Sequence, residues 1–555
     1  MFNKVRRLLN MPTLITLTEA ATFLGVSKAT LRNWDNDGKL VAVRNPINGY
    51  RQYDMESLIK LKNEMTGQEN SLKKQNDELK SEEAKAIKRA VNKLHSIIRD
   101  SDANSNIVTR FDEISKLLFV RLMSGRNIFK GFEQKDALYS SKIQEEYRRL
   151  LNESGRKIPK SYLKINLDAD TIRLCGKELY SLLLDDCQCD IKGLAYEDTI
   201  RGTFDKSDNQ QYFTPYQIVD FMVKALKPFL KGTVCDPACG TAGFLTKVND
   251  YADVKLFGFE VDERLAWVST LNLYIHGAND FETCFMSNGG SLGSEADSYY
   301  ESIDVILTNP PFGSDYTDRK ILDKYVLGKD KNSRRRGILF IEQSWNLLKK
   351  DGILAIIIDQ GVLNSKTNMD VREYIFSHFE IMGVIDLPES AFLPYANVSS
   401  SIMILQKKMG NVKQRQTFFA KSEKIGRKSN GDDDIIYYQN GDFKLDSDLD
   451  NILYAWEKFI AGNYQIHDKN CFVARVDEYL EEDKSMRLDY TFHHPYRNES
   501  KELLNNSKSP LISLSEICTE RSQSYVPAAD TDATSILFTG LANIESFTGI
   551  ATQEL

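Results

Sequence analysis

Two short stretches of this 555-residue chain carry residue types that could do chemistry. The first is Asp236-Pro237-Ala238-Cys239-Gly240-Thr241-Ala242-Gly243, preceded by Val234-Cys235 and followed by Phe244-Leu245. Its two glycines stand three apart, so the backbone can approach a ligand closely and a helix can start at once. The second is Asn309-Pro310-Pro311-Phe312, preceded by Asp304-Val305-Ile306-Leu307-Thr308. It sets a side-chain amide, two residues of fixed φ and an aromatic ring in a row. An amide oxygen accepts hydrogens, and an aromatic ring stacks on a flat partner.

Elements must exist to position these loops. The apolar residues leading into each loop read as buried strands. A third strand, Lys255-Leu256-Phe257-Gly258-Phe259, ends in Glu260, 20 residues beyond Gly240, where an acid can bind ribose hydroxyls. Gln211-Tyr212-Phe213-Thr214-Pro215-Tyr216 opens a helix at about Gln217. A proline near a helix start leaves N–H groups aimed outward, suited to a carboxylate. Later strands read over Gly352–Asp359, Val384–Pro388 and Ser399–Leu405. Strand and helix patterns alternate over 206–410, which predicts an α/β fold, a mainly parallel sheet with helices on both faces.

Composition sets the frame. A chain of this length holds three or more domains. It is 41% hydrophobic and 27% charged, ordinary globular values. Net charge is −7 and pI about 5.7, so a nucleic-acid face must be a local patch. Eight cysteines are scattered without zinc spacing, which points to reduced thiols in a cytoplasmic protein and no metal. No apolar run is long enough to span a membrane.

The flanks divide further. Residues 1–62 hold a first unit. Ala20, Ala21, Leu24 and Val26 form an apolar helix face, Gly25 a turn, and Ser27 caps a second helix, Lys28 to Trp34. This is helix-turn-helix spacing. Asn45 to Tyr53 follows as a wing. Between 26 and 53 stand five basic residues (Lys28, Arg32, Lys39, Arg44, Arg51) and two acidic ones (Asp35, Asp37), a local +3. Residues 63–103 place Leu72, Leu79, Ile87, Val91, Leu94 and Ile98 near heptad spacing. That fits either a spacer coiled coil or a helix packed flat on the next domain. Residues 104–205 show helical stripes such as Ile107, Phe111, Ile114, Leu117 and Leu118. Residues 411–485 are a charged linker with one helix near Leu449 to Phe459. In 486–555, Leu511–Cys518 and Ile536–Gly549 have a different style.

The order Thr-Pro segment, glycine loop, acidic strand end, Asn-Pro-Pro-Phe resembles the γ-class of N6-adenine DNA methyltransferases over about 200 residues. Together with the helical block ahead of it, the arrangement is similar to the modification subunits of type I restriction-modification systems. The first unit, over about 50 residues within 13–62, resembles the DNA-binding head of the MerR family. The stretches over 511–549 resemble the opening of a type I target-recognition domain, which the chain leaves incomplete at Leu555. The fold so implied is a Rossmann-like S-adenosylmethionine-dependent methyltransferase sheet, preceded by helical domains and a winged helix-turn-helix.

The resemblance implies roles. The reaction would be adenine-specific, site-specific DNA methylation, with double-stranded DNA as substrate and specificity and restriction subunits as partners. S-adenosyl-L-methionine would meet Gln211, Tyr212, Phe213, Thr214, Pro215 and Tyr216, the loop residues Asp236, Ala238, Gly240, Thr241, Ala242 and Gly243, and Glu260. Asn309, Pro310, Pro311 and Phe312 would carry catalysis on a flipped-out base. Lys28, Arg32 and Arg51 of the head, and Arg334, Arg335 and Arg336 of a basic loop, would contact DNA. One departure stands out: the family's acid near the cofactor adenine is Gly290 here, so either Asn288 substitutes or backbone makes those contacts. Rival readings are protein glutamine methylation, which also uses an Asn-Pro-Pro loop, and a MerR-like regulator with a cofactor-sensing body.

Overall fold

The computed structural model describes residues 14–24, 26, 28–36, 40, 42–44, 51–54, 58, 89–102, 105, 107–133, 137–153, 160–182, 214–311, 315–394, 396–410, 413–438, 443–468, 470–480 and 483–507. They fall into two units, Met1–His494 and Pro495–Leu555. The second contributes one described helix, Tyr496–Asn505. The recognition-like stretches over 511–549 lie outside the described residues.

At the start of the first unit, strand β1 (Leu14–Thr16) leads into helices Leu17–Leu24 and Lys28–Asn36, then β2 (Val43–Arg44) and β3 (Arg51–Asp54). The strands pair antiparallel in the order β1-β3-β2. Ala20, Ala21 and Leu24 on the apolar stripe of the first helix and Leu31 of the second, with Leu40 and with Tyr53 of β3, make its small core.

A helical block follows, built from helices Ile107–Ser124, Ala137–Glu153 and Ala169–Ser181. Residues 89–101 are helical too, and Ala90, Val91, Leu94 and Ile98 are buried in the same core as Phe111, Ile114 and Leu117. Of the two readings of the heptad-like stretch, flat packing therefore holds over 89–101.

The large sheet uses β4 (Thr233–Asp236), β5 (Lys255–Glu260), β6 (Phe281–Phe285), β7 (Ile303–Thr308), β10 (Leu348–Asp359), β11 (Phe379–Asp386), β12 (Ser400–Lys407), β13 (Gln416–Lys421), β16 (His467–Asp468) and β17 (Cys471–Arg475). Two small ribbons lie apart from it, β8 (Asp315–Tyr316) with β9 (Arg334–Arg335), and β14 (Ile435–Tyr437) with β15 (Phe443–Leu445). The ten strands run in the order β16-β17-β13-β11-β12-β10-β7-β4-β5-β6. From β10 to β6 all neighbours are parallel, whereas β12 runs antiparallel to both β10 and β11. The sheet is thus mixed, with a parallel half that holds both loops.

Successive side chains of a strand point to opposite faces. On β10, Ile353, Ala355 and Ile357 enter one core while Leu354, Ile356 and Ile358 enter the other. Helices Tyr216–Leu226, Gly243–Asn249 and Leu449–Ile460 cover the first face, and Arg336–Leu347 and Met369–His378 the second. Helix Glu263–Ile275 is buried nearly all round, with Leu265, Trp267, Val268, Leu271 and Ile275 set into the core of the helical block. Trp267 stacks on Tyr162 of that block at 4.7 Å.

Candidate active site

The sequence order reverses between β4 and β7, which lie side by side, with β5 beyond one and β10 beyond the other. A parallel sheet offers its ligand crevice at the carboxyl ends of strands beside such a switch. Asp236 closes β4, Glu260 closes β5 and Thr308 closes β7, so all three loops read from the sequence meet at that edge.

The loop after β4 is held from several sides. Gly240 has φ +52° and Ala242 φ +69°, left-handed backbone that turns the chain from strand into helix. Glu260 accepts from the Gly240 N–H at 2.9 Å, and from Val261 N–H and Asp262 N–H at 2.9 and 3.0 Å. The acid thereby ties two strand ends together. Asn272 donates through Nδ2 to the Thr241 carbonyl at 2.8 Å. Ser291 donates to the Pro237 carbonyl at 2.6 Å. Asp236 accepts from the Ala238 N–H at 3.0 Å and is 2% exposed. Burial pushes its carboxyl up to about 7. Burial also raises Glu260, against the pull of its three N–H donors. A Cβ placed on Gly240 or Gly243 would meet nothing within 4 Å, so the cradle has open space above both glycines.

Gly290 has φ +63°, and a Cβ there would lie 3.3 Å from Val261. With this backbone, a side chain at position 290 would be strained and crowded. The Asn288 amide donates to Glu295 at 2.9 Å.

The loop after β7 is held differently. Asn309 donates through Nδ2 to Thr214 Oγ1 at 2.9 Å, while its Oδ1 is buried and has no hydrogen-bond partner among the described residues. Pro310 is buried and Pro311 exposed. Phe312 lies outside the described residues, as do Gln211, Tyr212 and Phe213. Pro215 caps helix Tyr216–Leu226, which opens one residue earlier than expected. The first turn leans on a distant acid: Tyr216 Oη and Gln217 Nε2 both donate to Asp433 Oδ1, each at 3.0 Å.

The basic loop is not a freely solvated run. Arg334 is buried and donates to Asp370 at 2.8 Å. Arg335 is paired with Asp359. The Arg336 guanidinium sits 4.7 Å from the centre of the Tyr316 ring. Arg334 and Arg335, with Ser333, Asp315, Asp359, Ser365, Thr367 and Asn368, line a cavity of about 310 Å³. It adjoins the end of β10, the parallel neighbour of β7.

In the head, Lys28 and Arg32 are exposed on the second helix. Arg51 is different: its Nε donates to Asp35 at 2.5 Å, alongside Arg44 at 3.0 Å. Asp35 also accepts the Ala42 N–H at 2.8 Å, which, with the two arginines, holds its carboxyl below the usual range. Asp35 thus fastens the wing to the second helix.

Sequence reasoning missed Asn272, Ser291 and Asp433. Ser291 follows Gly290, already singled out, and Asn272 is a polar residue inside an apolar helix, so both left a local trace. Asp433 left none.

The chain matches the N-6 DNA Methylase family over residues 187–498 and the MerR family regulatory proteins over residues 16–53. It is 24% identical over 230 residues to the type I restriction enzyme EcoEI methylase subunit of Escherichia coli, covering 39% of this chain and 46% of that one. It is 27% identical over 242 residues to the StySPI methylase subunit of Salmonella potsdam, covering 38% and 44%. The chain thus spans about half the length of the curated relatives it matches. The fold is similar to that of a type I restriction-modification system methyltransferase subunit from Streptococcus thermophilus, with TM-score 0.54 and 17% identity over 74% of this chain and 99% of that one. Among the described residues, no helix is long and apolar enough to cross a membrane.

Proposed function

The chain belongs to the N-6 DNA methylase family, and on that premise we propose that it is a DNA methyltransferase specific for adenine N6, the modification part of a restriction-modification system. One observation carries the reading. Asn309 has its donor end occupied by Thr214 and its acceptor end buried and unpaired. A buried acceptor without a partner is costly and rare, and a substrate donor would satisfy it.

The chemistry follows from that acceptor. The lone pair of adenine N6 is delocalised into the ring. Asn309 Oδ1 and the Pro310 carbonyl accept the two N6 hydrogens and favour a tetrahedral nitrogen, whose lone pair is then free to react. Pro310 and Pro311 fix φ and hold that carbonyl still. Phe312 stacks on the base, which must leave the duplex to be reached. The nitrogen loses one proton to solvent, and no dedicated base is needed.

The β4 cradle suits an amino-acid and nucleoside ligand. Asp236, a buried carboxylate, accepts from a cationic amino group. The backbone of Ala238 and of Gly240 to Gly243, with the Gln211–Tyr216 segment, takes the rest of the amino-acid end. Glu260, with three N–H groups on its carboxylate, keeps about one acceptor site for a ribose hydroxyl. S-adenosylmethionine, held there, supplies an electrophilic methyl group. Lys28 and Arg32 of the head face duplex DNA, with Arg51 at the wing. The cavity beside Arg334, Arg335 and Arg336 receives backbone phosphate when the internal pairs exchange. Specificity and restriction subunits are the partners of such a chain, and the cytoplasm its place.

Sequencing of DNA after co-expression tests the proposal. N6-methyladenine at one recurring sequence is the expected result. DNA whose methylation falls on cytosine instead, or that carries no N6-methyladenine, would overturn it.

A further inference from the structure

Resting on that reading of Asn309, we propose that Thr214 is a positioning residue that acts through Asn309, and that Asp433, from a distant part of the sequence, anchors it. A side-chain amide has one donating and one accepting end, and its terminal torsion is broad and roughly two-fold. Nothing in Asn309 itself decides which end meets the substrate. Thr214 Oγ1 takes the Nδ2 end at 2.9 Å and leaves Oδ1 as the buried, unpaired end. Without that partner the amide is free to present a donor, and two donors cannot hold the hydrogens of an amino group.

Thr214 must itself be held. It stands one residue before Pro215, whose carbonyl accepts the Ile218 and Val219 N–H groups at 2.9 and 3.1 Å. Any shift of that helix start moves Thr214. The helix is pinned at both ends. Trp456 donates to the Ala225 carbonyl at 2.8 Å near its last turn. At its first turn, one carboxylate oxygen of Asp433 takes both the Tyr216 hydroxyl and the buried Gln217 amide. Asp433 lies on an excursion closed by the bridges Ile425↔Ser447 and Arg427↔Asp433 and by the β14–β15 ribbon. That excursion is the strap, and Asp433 its point of attachment.

The test uses the full chain in the assembly that methylates DNA, with kcat measured by transfer of a labelled methyl group and S-adenosylmethionine affinity by calorimetry. Thr214→Val is expected to lower kcat about 10–100-fold, the scale of a misplaced reacting group. Because Thr214 also belongs to the segment proposed to meet S-adenosylmethionine, affinity should fall by less than kcat does, and Thr214→Ser should restore most of the rate by keeping the hydroxyl. In an Asn309→Ala background, Thr214→Val should cost nothing further, because it acts only through Asn309. Asp433→Ala combined with Thr214→Val should be no worse than Thr214→Val alone. An additive loss in the Thr214/Asn309 pair, or a loss confined to cofactor affinity, overturns the role of Thr214. An additive loss in the Thr214/Asp433 pair overturns the anchor. A wild-type assembly that methylates no adenine brings down the underlying reading as well, and the wild-type control reveals this before any variant is compared.

Discussion

The loops after β4 and β7 sit side by side on one sheet edge and are built on opposite plans. After β4, hydrogen bonds from Glu260, Asn272 and Ser291 hold the loop from three directions. After β7, among the described residues, one side-chain hydrogen bond and two prolines do the holding, and an acceptor is left without a partner. The first plan suits a ligand that visits a finished cradle. The second suits a substrate that completes the site by binding, so that part of the binding energy is realised only when the correct amino group arrives. The contrast separates affinity from rate, and substitutions can break it.

Asn309→Ala should have the largest effect. Removing one acceptor that strengthens in the transition state costs about 10²–10³ in rate. Cofactor affinity should hold within a few-fold, because no bond of the β4 cradle involves Asn309. Calorimetry beside labelled-methyl transfer measures both. If affinity falls in step with rate, the two loops are one site and the contrast fails.

Glu260→Ala comes next and should reverse the pattern. It strands three backbone N–H groups, each worth roughly 1–3 kcal/mol when left unpaired in a buried place. The loop should loosen, with a melting temperature lower by several degrees and cofactor affinity down at least about tenfold. Glu260→Gln keeps an acceptor and should lose less. A Glu260→Ala protein with wild-type melting and affinity would show that the cradle does not depend on this acid.

The smallest effect is a pH dependence. The Asp236 carboxyl is raised from an ordinary 3.8 to about 7 by burial. A raised folded value means that the native state keeps its proton over a range where the unfolded chain has lost it. Its stability contribution is whole below about pH 4 and fades as pH rises through 7. Without cofactor, Asp236→Asn should therefore melt higher than wild type at pH 8 and nearly alike at pH 4. Loss of cofactor binding should accompany the gain. Equal melting curves at pH 8 would mean that burial at this carboxylate carries no penalty.

Much of this edge was legible in the sequence, because strand, turn and glycine signals are local. Asp236, Glu260 and Asn309 were placed by apolar runs that end in a polar residue. The reversed direction of β12 was not legible, since Ser401-Ile402-Met403-Ile404-Leu405 reads the same in either direction. The basic run from Arg334 to Arg336 read as a DNA-contacting loop, and the internal pairs of Arg334 and Arg335 were not legible because their partners, Asp370 and Asp359, come from later elements. Arg51 read as a free wing cation for the same reason, with Asp35 standing 16 residues earlier. Periodicity carries faces, and pairing across 95 residues, as between Thr214 and Asn309, leaves no periodic trace. The heptad-like leucines before residue 100 fitted two packings, and only the core around Leu94 and Ile98 chooses between them.

Helix Glu263–Ile275 makes the catalytic domain a poor candidate for surgery. The boundary near residue 205 suggests a piece that could be cut free, yet this helix presents Leu265, Trp267, Val268, Leu271 and Ile275 to the helical block. Cutting there would bare an apolar strip on the same helix whose Asn272 steadies the glycine loop. Whatever leans on the block leans, one helix later, on the carbonyl of Thr241. The seam between the two is a hinge pin rather than a perforation.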